Sequence, residues 1–334
     1  MPRLRRSDPT APGIRRRRAG RGFVYLHPDG TRVTDQATLA RIRGLVLPPA
    51  WEDVWIAPWP NGHIQALGTD ARGRRQYRYH DAWRAHRDRE KFEHVVRFAR
   101  RLPDVRRRCA EDLASPGMSR DKALGCAVRL LDLGFFRVGG DEYAEDNGSI
   151  GLTTLRREHT HLEGDEVIFD YPAKSGRHRV QSVVDPDVRT VIDELRRRRG
   201  GTRLLAYREG RRWHELHADD VNRYLRDLAG VPASAKDFRT WHATVLAAVG
   251  LAVSREAAHT PTAQRRAVRR AVCEVADYLG NTPAVCRRSY IDPRLVDAYL
   301  DGRTVAHALP RLGREGLPAT RGAIEAAVIR LLAG

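Results

Sequence analysis

The hydrophobic period changes once along this chain, near Asp81, and that change limits the fold more than any other feature. Residues 23–80 are short β-prone runs broken by turn signals: FVYLHPDGTRV carries Pro-Asp-Gly, VWIAPWPNGHIQAL carries Pro-Asn-Gly, and RRQYRYH alternates polar with aromatic. One short helix is expected near Asp35 to Ile42. From Asp81 the spacing becomes helical, and WRAHRDREKFEHVVRFARRL places Phe92, Val95, Val96, Ala99 and Leu102 on one stripe. The fold class expected is therefore α+β. A small N-terminal antiparallel β-sheet domain (21–85) precedes a larger, mainly α-helical domain (86–334).

Within the second domain, SRDKALGCAVRLLDLG reads as a helix with Ser119 as N-cap and Gly134 as its stop. Between Thr153 and Val184 the pattern returns to strands, with turns at Glu163-Gly164 and Lys174-Ser175-Gly176, which predicts a three-stranded β-meander. Helices resume over 187–199, 218–229, 238–253, 261–279 and 283–290, the last two with Thr-Pro starts.

Charge narrows the partners. Sixty basic residues against 42 acidic give +18, so a polyanion is expected, with nucleic acid foremost. The longest nearly apolar run, Ala243 to Val253, is about half of the roughly 20 residues a membrane-spanning helix needs. Residues 1–20 hold arginines among prolines and glycines and read as a disordered basic arm. Cys109, Cys126, Cys273 and Cys286 are widely spaced with no CxxC, which fits reduced thiols in a cytoplasm. His214 and His217 do not form HExxH, His159 and His161 lack a third ligand, and there is no GxxxxGKS/T, so neither a metal nor ATP is expected.

Five residues in four stretches hold the parts for one reaction: GFFRVGGDEY with Arg137, YPAKSGRH with Lys174, KDFRTWHAT with Arg239, and LGNTPAVCRRSYIDP with Asn281 and Tyr290. Attack on a phosphodiester needs a nucleophile, neutralisation of two non-bridging oxygens, and a proton for the departing alkoxide. A phenol with free pKa near 10 can attack if cations surround it, and guanidinium forks match phosphate oxygens. Only Lys91, Lys122, Lys174 and Lys236 could give up an ammonium proton, because every other cation is arginine. In RRQYRYH, period two places Tyr77 and Tyr79 on one face and Arg74, Gln76, Arg78 and His80 on the other, a pattern that suits a DNA groove.

In order and spacing, Arg137, Lys174, Arg239, Asn281 and Tyr290 resemble the active-site set of type IB DNA topoisomerases, specifically the small bacterial and poxviral branch, and the resemblance extends from about Phe23 to Ala298. It implies a monomeric, nucleoid-associated enzyme whose lobes form a C-shaped clamp on duplex DNA. That enzyme would relax supercoils through a 3′-phosphotyrosyl intermediate, strand rotation and religation, with no cofactor. Arg137 and Arg239 match the transition-state arginines, Lys174 the general acid, Tyr290 the nucleophile, and Gln76, Tyr77, Tyr79 and Tyr143 DNA contacts. Asn281 stands where many relatives have histidine, which leaves hydrogen bonding alone, and Gly140 replaces a basic residue of poxviral relatives. A tyrosine recombinase resembles the same machinery, but recombinases usually have histidine three residues before the second arginine, where this chain has Lys236. A non-catalytic DNA-binding protein is the third reading.

Overall fold

The computed structural model describes residues 3–141, 144, 148–173, 176, 178–312 and 321–333. The chain divides into two compact units, Met1–Phe92 and Glu93–Gly334. The division falls inside one long helix rather than at residue 85.

In the first unit, strands β1 (Ile14–Ala19), β2 (Gly22–Leu26), β3 (Glu52–Ile56), β4 (Ile64–Thr69) and β5 (Arg75–Tyr79) form an antiparallel sheet in the order β2-β1-β3-β4-β5. Helix α1 (Gln36–Gly44) starts at Asp35, whose carboxylate accepts from the Thr38 N–H at 2.7 Å. Alternation along β3 loads both faces of the sheet. Val54 and Ile56 join Ile14, Val33, Ile42 and Ala66 in one cluster, while Trp55 packs with Ala57, Ile64 and Leu67 in another, with Tyr79 against it.

The expected disordered arm is wrong. Ile14–Ala19 is a strand paired with β2 on one side and β3 on the other. Upstream of it, Ser7 is buried, its N–H donating to His63 Nδ1 at 2.8 Å and its hydroxyl to the Ile64 carbonyl at 2.9 Å. The Trp55 indole donates to the Ala11 carbonyl at 3.0 Å, and a Cβ at Gly13 would collide with that indole. The arginine run reads as a solvated tail because most of its strand is exposed, and only its pairing with β2 and β3 makes it sheet. Ile14 is buried, and Arg16 lies over the Phe23 ring at 4.2 Å while donating to Pro48 O and Trp51 O.

Helix α2 (Asp81–Ala114) buries the expected stripe of Phe92, Val95, Val96, Ala99 and Leu102. The second unit continues with α3 (Arg120–Gly134), capped by Ser119, and the meander β6 (Thr160–Glu163), β7 (Glu166–Pro172) and β8 (His178–Val184), ordered β6-β7-β8. Then follow α4 (Pro186–Arg197), a hairpin of β9 (Ala206–Glu209) and β10 (Arg212–Glu215), α5 (Ala218–Ala229), α6 (Ala235–Ser254) and α7 (Pro261–Leu279). The described residues end with α8 (Pro283–Ser289), α9 (Pro293–Leu300) and α10 (Ala323–Ala333). The short hairpin and the last two helices have no counterpart in the sequence reading.

Helix α3 does not stop on glycine as expected. Gly134 stays helical and the left-handed residue is Phe135, φ 56°. Space explains this: a Cβ at Gly134 would lie 2.2 Å from the Phe136 ring, so the glycine serves packing rather than φ. Phe136 is buried against Phe169, the two ring centroids 5.0 Å apart and nearly perpendicular. Helix α6 is buried on nearly all sides, from Phe238 through Leu251, as expected of the central helix of a core.

Candidate active site

Three chain segments converge beside α6. The Phe135 turn carries the chain from α3 to Arg137. Helix α7 ends at Gly280, φ 60°, a left-handed cap that turns the chain sharply into Asn281. Helix α8, started by Thr282 and Pro283, ends at Tyr290, whose N–H donates to Cys286 O at 2.9 Å. The buried Thr244 hydroxyl on α6 holds this last segment by accepting from the Asp292 N–H at 3.2 Å, its one proton shared between Thr240 O at 3.0 Å and Tyr290 O at 3.2 Å.

These segments bring four of the expected residues together. Arg137 Nη2 donates to Asn281 Oδ1 at 2.7 Å and to Gly280 O at 3.3 Å. Arg239 donates from Nη2 to Leu279 O at 2.7 Å and from Nη1 to Phe135 O, and its guanidinium lies 5.5 Å from the centre of the Tyr290 ring. Arg239 is 3% exposed. Burial and the nearby positive charge of Arg137 push its pKa down to about 10, partly opposed by the Tyr290 phenol, so it keeps its proton at neutral pH.

The chemistry of this arrangement is that of an anion site. Buried cations normally have a carboxylate partner. Among the described residues, Arg137 and Arg239 form no ion pair, and their partners are carbonyl and amide oxygens. Two further donors point nowhere: Asn281 Nδ2 and Arg239 Nε are buried with no hydrogen-bond partner. Such orphans are rare in folded proteins and demand an explanation. A bound phosphate, with oxygen acceptors only, supplies one.

His242, one turn after Arg239 on α6, is committed to a different partner. It is fully buried and its Nε2 donates to Asp132 Oδ1 at 3.1 Å. Asp132 also accepts from Arg106 at 2.8 Å and from Arg321, and Arg106 and the Trp241 indole both donate to Glu325. This buried network ties α2, α3, α6 and the C-terminal segment into one core.

Of the remaining expected residues, Lys174 and Tyr143 lie outside the described residues. In the first unit, β5 presents Tyr77 and Tyr79 stacked on one another at 5.9 Å, with Tyr77 exposed. Arg74 is exposed and pairs with Asp70 at 2.8 Å, and Gln76 donates to the same carboxylate at 3.0 Å. Among the described residues no cluster of histidines, cysteines and carboxylates could hold a metal, and no helix is long and apolar enough to cross a membrane.

Sequence reasoning missed a second layer on β8. Arg179 donates from Nε to Gln181 Oε1 at 2.8 Å and from Nη2 to Tyr278 O at 2.6 Å. Gln181 also accepts from the Tyr171 hydroxyl at 2.7 Å and donates to Gly134 O. The signal was present. Alternation along HRVQSVV places Arg179, Gln181 and Val183 on the covered face, and an arginine on the covered face of a strand needs a reason. Tyr171 is a second phenol near these arginines, but it is 3% exposed, and burial raises its pKa despite the pull of Arg179, Arg239 and Arg137.

Comparison with known proteins agrees with this geometry. The family described as eukaryotic DNA topoisomerase I, catalytic core, matches residues 80–299, and that described as bacterial DNA topoisomerase IB, N-terminal domain, matches residues 22–70. DNA topoisomerase 1B of Acanthamoeba polyphaga mimivirus is 28% identical over 296 residues, covering 86% of this chain and 87% of that protein. DNA topoisomerase I of Monkeypox virus is 17% identical over 241 residues, 70% of this chain and 72% of the viral one. DNA topoisomerase 1 of Schizosaccharomyces pombe is 25% identical over 201 residues, 57% of this chain but 22% of the yeast protein. With catalytic-core similarity across two thirds of its length and a bacterial N-terminal domain before it, the chain belongs to the type IB DNA topoisomerase family.

Proposed function

We propose that the chain relaxes supercoiled duplex DNA by transient cleavage of one strand through a 3′-phosphotyrosyl intermediate. The Tyr290 phenol attacks the scissile phosphorus and gives its proton to solvent. A bond forms from Tyr290 Oη to phosphorus as the bond to the 5′-oxygen breaks, and Lys174, between β7 and β8 in sequence, protonates the departing oxygen. Arg137, Arg239 and Asn281 hold the two non-bridging oxygens while negative charge builds on them. Preorganised donors of this kind are usually the largest catalytic contribution. The free 5′-hydroxyl end then rotates, and its oxygen attacks the phosphotyrosine in reverse.

The reaction needs no ATP, because the energy of the broken phosphodiester is kept in the phosphotyrosyl bond. It needs no metal, because fixed guanidiniums supply the charge a cation would otherwise bring. The enzyme acts as a monomer, since one chain contains all the residues named. Arg74, Gln76, Tyr77, Tyr79 and Tyr143 contact the DNA duplex, and the net charge of +18 favours the polyanion.

The observation that supports this reading most strongly is the meeting of two guanidiniums without carboxylate partners, an orphaned amide donor and a phenol at one point. The test is plasmid relaxation with EDTA present and ATP absent. The wild-type protein relaxes the plasmid, whereas Tyr290→Phe binds DNA equally well and relaxes nothing. Relaxation by Tyr290→Phe, or a requirement for Mg²⁺ or ATP, contradicts it.

A further inference from the structure

We propose that Arg179 is a third phosphate-binding arginine of the cleavage site, and that it takes a phosphate flanking the scissile one on the DNA. This rests on the cleavage-site reading above and extends it.

The C-terminal turn of α7 is where the inference begins. Three consecutive carbonyls there each accept from a different arginine: Tyr278 O from Arg179, Leu279 O from Arg239 and Gly280 O from Arg137. A helix C-terminus carries roughly half a negative charge, whereas the three guanidiniums carry three positive ones. Among the described residues Arg179, like the other two, makes no ion pair, even though Glu274 and Asp277 line the same cleft. A phosphodiester contributes one negative charge. One phosphate and the helix end leave more than one positive charge among the three guanidiniums, and the two carboxylates of the cleft form no ion pair with any of them, so Arg179 is open to a second phosphate.

Arg179 is also built into its position rather than free on the surface. Gln181 grips its Nε and is itself held by Tyr171 and Gly134 O, so the β8 hairpin, the end of α3 and the end of α7 together aim one guanidinium. Its Nη1 faces Gly280, where any Cβ would lie 2.7 Å away. Arg179 and Arg137 open onto one cleft of about 770 Å³. Burial and the charge of Arg137 both disfavour the cation at Arg179, which an entering anion relieves.

The experiment uses the full-length protein and a suicide duplex, nicked so that cleavage is irreversible, under single-turnover conditions. Wild type, Arg179→Gln and Arg179→Lys are each run on duplexes with one charge-free methylphosphonate placed in turn at the linkages flanking the scissile phosphate. Arg179→Gln is expected to cleave about 10- to 100-fold more slowly, and the slope of log affinity against log salt is expected to fall by about 0.9. Arg179→Lys recovers part of the rate. At one flanking linkage the methylphosphonate slows wild type but makes no further difference to Arg179→Gln. If every methylphosphonate slows variant and wild type by the same factor, Arg179 is only a strut for α7 and the proposal is overturned. A wild-type rate for Arg179→Gln overturns it too. Should Arg179→Gln fail to fold, the same comparison is decided with Arg179→Lys. Tyr290→Phe on the same duplex separates the two readings. An adduct with Tyr290→Phe defeats the cleavage site itself, whereas no adduct, together with an indifferent Arg179, defeats this inference alone.

Discussion

The Asn281 amide has one orientation open to it. Its oxygen must face Arg137, because a guanidinium can only donate, and this turns Nδ2 toward a place where it has no partner. Asparagine at this position thus offers a neutral donor, with no proton to exchange. Removing it by Asn281→Ala is expected to slow single-turnover cleavage by about 10²–10³-fold, the usual cost of losing one preorganised donor, with DNA affinity little changed. Asn281→His, which restores a donor, should recover much of the rate. Equal loss in both variants would mean that the residue acts by supporting the turn rather than by donating. Arg239 was legible from its place in KDFRTWHAT, but its lack of an ionic partner was not, because that depends on where α3 and α7 end in space.

At the scale of elements, the site depends on how helices stop. Gly280 is left-handed and faces Arg179, so Gly280→Ala adds backbone strain of about 1–2 kcal/mol as well as a close contact with that arginine. A lower melting temperature together with slower cleavage is expected, and an unchanged melting temperature would show that the turn can relax. Asp132 joins four elements. Burial raises its pKa, but Arg106, the His242 hydrogen bond and Arg321 outweigh that and hold it well below the ordinary carboxylate range. The folded pKa therefore lies below the unfolded one. The contribution of Asp132 to stability is fully present above about pH 4 and is lost as pH falls below it. Asp132→Asn should cost about 3–5 kcal/mol, measured by urea unfolding at pH 7, and should flatten the acid limb of the stability curve. Retained acid sensitivity in that variant would place the linkage elsewhere. Helix spans with strong caps, such as Ser119 and the two Thr-Pro starts, could be read directly from the chain. The stop of α3 could not, because the packing of Phe136 decides it and that contact is tertiary.

At the scale of the whole molecule, the class of fold followed from one change of period, and the candidate site followed from residue types in order. What escaped was the N-terminal strand. A run of arginines is polar by composition, and only the pairing of Ile14–Ala19 with two neighbours reveals it as sheet. Truncating residues 1–20 therefore removes an interior strand. It should unfold the first unit, seen as a loss of strand signal in circular dichroism, and weaken DNA binding beyond the effect of charge. Changing the exposed Arg15, Arg17 and Arg18 to glutamine should keep the fold and lower the salt slope by at most about 0.9 per lost phosphate contact. If truncation leaves the spectrum unchanged, the strand is dispensable. The central claim is that one phenol, Tyr290, takes the DNA. The direct measurement is mass spectrometry of the peptide released from protein trapped on a suicide duplex. The account predicts a 3′-phosphoryl group on Tyr290 and a free 5′-hydroxyl on the other fragment. A phosphoryl group on Tyr171 or any other residue, or attachment through a 5′-phosphate, would contradict it.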